Sequence, residues 1–317
     1  MKNNYHIPVL LKESIELLIT DLNGTYVDGT AGGGGHTSLI LDLISKDGFV
    51  YDFDADEKAI EFVKERFKDN VKINFSAHQK YFTEAVNFLK ENNIKLNGVI
   101  LDLGVSSRQL DSSQIGLSYR SEMPLDMRFR RSDDKISAKE FLNETNAEDI
   151  ADVLRKFGEE PAAWKIAQAI HNKSKTKKIE TTLDLKNIIE DEIPQVFVVK
   201  TLTRVFQALR IFVNNEMDEL EKALSGYTDI LIEGGRIVVL TYHSIEDRIV
   251  KYSFRDEMKD CICPPFVPKC ICDKEQRLKI ITRKPIVPGK LELENNKRSR
   301  SAKLRVAERV LSTKKMN

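Results

Sequence analysis

What this 317-residue chain lacks narrows its class before any motif is read. No apolar run approaches the ~18 residues that a membrane span needs. The N-terminus offers only Ile7 to Leu11, interrupted by Pro8 and followed by Lys12 and Glu13, which does not make a signal peptide. The cytoplasm is therefore the expected compartment, with no membrane partner. Cysteine is scarce: there are four, all between 261 and 272, which excludes a disulfide framework along the chain. An excess of one charge is also missing. Lys and Arg total 50 against 49 Asp and Glu, a formal net charge of +1. Any nucleic-acid partner must therefore be met by local patches. No internal repeat is found. What is present is a globular balance, 41% hydrophobic and 31% charged, at a length that fits one large or two ordinary domains.

The N-terminal third alternates short apolar runs with helical patterns. Strands are expected at Thr25 to Val27, Phe49 to Phe53, Val71 to Phe75 and Val99 to Leu103, with helices at His36 to Ile44, Glu57 to Phe67 and Phe82 to Leu89. Strands separated by helices at this spacing predict βαβ units and a parallel sheet. From Val105 to about Lys200 the rhythm breaks into helical stretches, Ala138 to Phe157, Ala162 to Asn172 and Leu183 to Ile189. The pattern resumes with an amphipathic helix over Thr201 to Leu224 and a strand over Arg236 to Leu240. The organisation predicted is a helical domain over 106–200 inserted into a doubly wound α/β domain made of 1–105 and 201–317. The tail is basic, with ten Lys/Arg against three Asp/Glu over 284–317.

Asp28-Gly29-Thr30-Ala31-Gly32-Gly33-Gly34-Gly35-His36 lies between the first strand and helix, where an open parallel sheet binds its ligands. Glycines there admit a ligand to the backbone, and the helix N-terminus favours an anionic group. A phosphate-binding P-loop needs Lys after the last Gly, and His36 stands there. A dinucleotide fingerprint needs a third Gly or Ala, and Thr37 stands there. S-adenosylmethionine fits better, with its carboxylate on the glycine loop and its ribose diol on a carboxylate ending strand two. Asp54 is the choice for that role and Asp52 its nearest rival. Asp102-Leu103-Gly104-Val105-Ser106-Ser107-Arg108-Gln109 places a further acid beside the same cleft, although a strand-ending Asp also caps turns.

Thr241-Tyr242-His243-Ser244-Ile245-Glu246-Asp247-Arg248 combines His, Ser and acids at a helix start. A hydrolytic triad is disfavoured, because neighbouring strand residues face opposite ways and the G-x-S-x-G elbow is absent. Arg120, Arg128, Arg130 and Arg131, interleaved with Tyr119 and Phe129, suit single-stranded nucleic acid. Lysines at 173, 175, 177 and 178 and the tail from Lys297 to Arg305 add candidate phosphate contacts. Cys261-x-Cys263 and Cys270-x-Cys272 could bind a structural zinc or stand as free thiols, and no catalytic metal is expected.

Taken together, these segments resemble the bacterial 16S rRNA cytosine-N4 methyltransferase family (RsmH/MraW). The segments that carry the resemblance are His6 to Leu11, Asp28 to His36, Asp102 to Leu110, Pro124 to Arg128, Gly158-Glu159-Glu160, Thr203 to Ile211, His243 to Arg248 and Arg300 to Arg305. The match runs in order along nearly the whole chain. The resemblance implies a Rossmann-like class I methyltransferase sheet with a helical insertion. It also implies S-adenosyl-L-methionine as methyl donor and a cytidine in the decoding region of 16S rRNA as target, with the assembled small ribosomal subunit as partner. Family cofactor positions fall on Gly34, Gly35, His36, Asp54, Asp102 and Gln109, and the family's aromatic after strand three falls on Tyr81. The D-P-P-Y segment often used on amino groups is absent, Asp102-Leu103-Gly104-Val105 standing in its place. Asp102 is expected at the junction of cofactor and substrate, with His243 or a nearby carbonyl accepting from the base. The rival is a non-catalytic ribosome-associated RNA-binding protein that keeps a methyltransferase-like fold.

Overall fold

The computed structural model describes residues 8–68, 74–104, 115–130, 135–264 and 270–311. The chain divides into two compact units, one formed by Met1–Gly104 with Asp218–Asn317 and the other by Val105–Met217. The first unit carries a seven-stranded sheet. Its strands are β1 (Thr25–Asp28), β2 (Phe49–Asp54), β3 (Asn74–Gln79), β4 (Leu96–Asp102), β5 (Leu231–Thr241), β6 (Leu278–Ile280) and β7 (Lys303–Arg309), in the order β3-β2-β1-β4-β5-β7-β6. The first five are parallel, and β7 runs antiparallel between β5 and β6. The strand order turns back between β1 and β4. That switch point is where doubly wound sheets open a ligand crevice beyond the strand ends. Helices α1 (Leu11–Leu18), α2 (Gly35–Leu43), α3 (Glu57–Phe67) and α4 (Phe82–Glu91) accompany the first strands.

The second unit is helical: α5 (Ala138–Glu144), α6 (Ala147–Gly158), α7 (Ala163–Ser174), α8 (Thr182–Glu192) and α9 (Gln195–Asn214) enclose a core that includes Leu142, Ile150, Leu154, Ile166, Leu185 and Leu209. The single helix expected over 138–157 is two helices. Thr145 and Asn146 are extended, and the Asn146 side chain accepts from the Asp149 amide to start α6. The helix expected over 201–224 is also two, α9 and α10 (Glu216–Ile230). Asn215 between them is left-handed, at φ 53°, a conformation Asn tolerates better than most residues. Asn214 fixes this end of α9 from the side. Its Nδ2 donates to the carbonyls of Met127 (2.8 Å) and Arg210 (2.9 Å), and its Oδ1 accepts from the Phe129 amide (2.8 Å).

In the sheet unit, both faces of the central strands are buried, so their apolar runs are continuous. Val27, Phe53, Val99, Leu101, Ile237 and Val239 share one face with Leu220, Leu224 and Tyr227 of α10. Tyr26, Val50, Ile100, Val238 and Leu240 share the other with Ile15 and Leu18 of α1 and Ile40 and Leu41 of α2. Helix α11 (Ser244–Glu257) follows β5 and α12 (Lys290–Asn295) precedes β7. The third strand runs beyond the expected Val71 to Phe75: β3 pairs with β2 from Phe49↔Asn74 through Asp54↔Gln79, and 71–73 lie outside the described residues. Strand β7 lies in the stretch read as a basic tail. In β7 the charged residues alternate with the buried Leu304, Val306 and Ala307.

Candidate active site

The glycine loop is built by steric exclusion. At Gly29 an added Cβ would lie 2.4 Å from Leu101 Cδ2, and the Gly29 amide donates to the Ile100 carbonyl at 2.9 Å. The loop is thereby fixed against β4. Gly34 has φ +69° and starts α2, and a Cβ there would meet Phe67 at 2.8 Å. Only glycine satisfies both demands.

Four carboxyls gather at the C-terminal ends of β1, β2 and β4. Asp28 and Asp52 are fully buried register partners. The Thr37 hydroxyl lies between them, 3.0 Å from Asp28 Oδ2 and 2.9 Å from Asp52 Oδ1. Burial pushes both acids up. Asp52 is pushed further, because it also feels the Asp28 charge. The Thr37 hydroxyl is the polar group that the two buried acids share. Thr37→Val, nearly isosteric, should therefore lower unfolding stability by about 1–3 kcal/mol. An unchanged urea midpoint would remove the hydroxyl from this account.

Asp54 stands at the end of β2, beside the loop. Its Oδ2 accepts from the Gly32 amide at 2.9 Å and its Oδ1 from the Asp56 amide at 2.8 Å. Burial outweighs these bonds and raises the carboxyl to about 6. Asp52 is enclosed, whereas Asp54 keeps part of its surface open, so of the two rivals only Asp54 has surface that a ligand could reach.

Asp102 ends β4 and is also half-open. Its amide donates to Thr30 Oγ1 at 2.7 Å, which ties it to the glycine loop. Its carboxyl is raised by burial, against the opposing effects of the His36 ring and a hydrogen bond with Tyr242. The Tyr242 ring covers Gly104, where a Cβ would meet it at 2.8 Å. His36 is buried, and its Nε2 has no hydrogen-bond partner among the described residues. A buried donor or acceptor left open in this way is costly unless a ligand completes it.

His243 stands at the N-terminal cap of α11. Its Nδ1 accepts from the Glu246 amide at 3.3 Å, capping α11, and its Nε2 lies 2.8 Å from Glu246 Oε1. Glu246 Oε2 in turn accepts from the Tyr242 amide at 2.8 Å. The buried Nε2 has no hydrogen-bond partner among the described residues, although Glu246 Oε1 lies close to it. Tyr81 begins α4 just after β3, and its ring stacks on Phe82 with centroids 4.5 Å apart. Gln109 lies outside the described residues, as does Arg131.

Thr30, Thr37, Tyr242 and Glu246 were not read from sequence as site residues. Thr37 carried a signal of its own, as the residue that spoils the dinucleotide fingerprint. The arginine-rich stretch is only partly available for phosphate. Arg128 is held by Asp126 (2.6 and 3.2 Å) and by the Lys135 carbonyl (2.8 Å). Tyr119 packs edge-on against Phe206, and Phe129 packs on the helical core. Arg120 and the lysines at 173, 175, 177 and 178 are exposed, and of these Lys177 pairs with Asp184 at 3.0 Å.

Comparison with known proteins places the chain in a family. The MraW methylase family profile matches residues 3–310. "Ribosomal RNA small subunit methyltransferase H" of Halothermothrix orenii is 45% identical over 311 residues, 97% of this chain and 99% of that protein. The protein of the same name from Caldicellulosiruptor saccharolyticus is 45% identical over 308 residues, 96% and 99% of the two chains. Among solved structures, an rRNA methylase from Streptococcus thermophilus aligns over 95% of this chain and 94% of its own, at 12% identity and a TM-score of 0.42.

Proposed function

The chain belongs to the MraW methylase family, and from that premise we propose that it methylates the exocyclic N4 of a cytidine in the decoding region of 16S rRNA. The donor is S-adenosyl-L-methionine, and the assembled small ribosomal subunit is the substrate. The observation that carries the reading is the meeting of Asp54, the glycine loop and Asp102 at the switch point of a class I methyltransferase sheet. The cytoplasm is the compartment this substrate implies. Among the described residues no helix is long and apolar enough to cross a membrane.

The residues present fit the cofactor. Gly34 and Gly35 bring backbone amides at the start of α2 toward a carboxylate. Asp54 keeps lone pairs for a ribose diol, His36 Nε2 is an open polar atom, and Tyr81 offers an aromatic face beyond β3. Gln109 is assigned by family position. When bound, S-adenosylmethionine supplies a methyl group already activated on a sulfonium sulfur. The protein's work is then alignment of the attacking nitrogen with that methyl. It must also stabilise an amino group that grows tetrahedral and positive. Asp102 takes this role: burial has raised its proton affinity, and it can accept from the amino hydrogens as they become acidic. His243 is a positioning residue. It caps α11 and, through Glu246, holds the Tyr242 backbone whose ring covers Gly104.

The helical unit over 105–217 is the proposed rRNA-recognition part, with Lys173, Lys175 and Lys178 as phosphate contacts. Changing these three to glutamine should reduce the slope of log K against log salt by roughly 2–3 for binding to 16S rRNA fragments. An unchanged slope would mark them as solvated charges. The function itself is tested by incubating the protein with labelled S-adenosylmethionine and small subunits from cells lacking the activity. Nucleoside analysis should find the label in N4-methylated cytidine. Cofactor binding without any transfer to subunits or free rRNA would favour the non-catalytic alternative.

A further inference from the structure

Between the end of α11 at Glu257 and the start of β6 at Leu278, the described residues form neither helix nor strand. None of its described residues is buried. Ile262 is 63% exposed and Ile271 80%. Hydrophobic packing therefore cannot explain why four thiols on two separated strands of chain converge here. The sulfurs of Cys261, Cys263, Cys270 and Cys272 all lie within 4.8 Å of one another. Cys261 and Cys270 are 3.6 Å apart, Cys270 and Cys272 3.6 Å, Cys261 and Cys272 3.8 Å, and Cys263 and Cys270 3.9 Å.

These distances separate the candidate chemistries. A disulfide would bring two sulfurs to about 2.05 Å. Zinc–sulfur bonds of about 2.3 Å arranged tetrahedrally place the sulfurs about 3.8 Å apart. Four of the six spacings, at 3.6 to 3.9 Å, fall around that edge length, and all six stay within 4.8 Å. The backbone is arranged to match. The Ile262 amide donates to Cys272 Sγ at 3.4 Å, and the Ile271 amide donates to Cys263 Sγ at 3.4 Å. Each C-x-C pair thus sends its middle amide to a sulfur of the other pair, and the Cys263 amide adds a third such bond to Cys261 Sγ at 3.3 Å. Amides aimed at sulfur stabilise thiolate over thiol.

We propose that Cys261, Cys263, Cys270 and Cys272 bind one zinc ion as a closed tetrathiolate knuckle. Four protein ligands leave no open position, so the site is structural and takes no part in methyl transfer. Each thiol gives its proton to solvent as its sulfur joins the metal, with no change of oxidation state. The connector's far end is already anchored, because Arg277 pairs with Glu257 at 2.7 Å. Zinc would close the loop that this pair leaves open and supply the core the segment lacks.

The test is metal content and thiol reactivity of the full-length protein, expressed with zinc available and purified without chelator or oxidant. The expected result is about one zinc per chain, with four thiols that react only after the metal is stripped. Cobalt added to the stripped protein should give the visible absorption of a tetrahedral thiolate site. Cys261→Ser with Cys270→Ser should lose the metal and keep S-adenosylmethionine binding. Should that variant fail to fold, stripping and reloading the unaltered protein decides the matter alone. Four freely reactive thiols with no tightly held metal would overturn the proposal. So would disulfides in protein kept from oxidants, or stoichiometric iron in place of zinc.

Discussion

Asp102→Asn should lower kcat by about 10²–10³-fold, with the dissociation constant for S-adenosylmethionine changed much less. The substitution keeps the size of the side chain and an acceptor for the Gly104 amide, which lies 3.4 Å from Asp102 Oδ1. The backbone tie to Thr30 uses the amide and is untouched. What is lost is the negative charge and the proton affinity that burial has raised. Single-turnover rates on small subunits, set beside calorimetric cofactor binding, separate the outcomes. Loss of affinity with normal chemistry would make Asp102 a cofactor ligand only. Near-normal turnover with unchanged affinity would remove it from the mechanism.

Asp54→Ala should weaken S-adenosylmethionine binding by about 1.5–3 kcal/mol, roughly 10–150-fold, which is the worth of a hydrogen bond to a charged group. The carboxylate must be ionised to accept from both hydroxyls of a diol. Its folded value is raised to about 6, so affinity in the unaltered protein should fall as pH drops through about 6. The Asn variant should lack that inflection. Stability runs the other way. A carboxyl raised from 3.8 to about 6 on folding stabilises the protein fully below 3.8, and this contribution is lost as pH rises through about 6. The cofactor-free protein should thus lose stability across the interval in which it gains affinity. Denaturant titrations from pH 4 to 7, with and without cofactor, check both signs. A pH-independent affinity would show that Asp54 does not meet the ribose.

The parts legible in the sequence were those where burial is two-sided. Strands β1, β2, β4 and β5 read as apolar runs because helices cover both faces, and the acids that end them read as ligand groups because polar residues interrupt that run. Strand β3 continues past its expected end. Its own residues, Asn74 to Gln79, include Ser76, His78 and Gln79, and an edge strand with polar side chains carries little apolar signal. Strand β7 was hidden by Lys303, Arg305 and Arg309, whose charges dominate its composition although the residues between are buried. Arg305 shows how such a charge is kept near the core: Asp247 accepts from it at 2.6 Å. Pairings of this kind, like Thr37 between two acids or Glu246 beneath His243, join residues far apart in sequence or fix a rotamer. Neither periodicity nor composition encodes them. His243 is the clearest case, since its residue type suggested chemistry and its Nδ1 also caps a helix.

The placement of β7 has a consequence in time. Thr241 of β5 and Lys303 of β7 are 62 residues apart, yet they are neighbours in the sheet. At a synthesis rate of ~5–20 residues per second, the nascent chain carries β5 for about 3–12 s before its partner exists. During that interval a strand with the apolar run Ile237 to Leu240 has one bare edge, the state most open to pairing with another chain. The helical unit, assembled from nearby residues, can fold while the sheet still waits. Chaperone dependence and translation-speed sensitivity should therefore concentrate on the interval between these two strands.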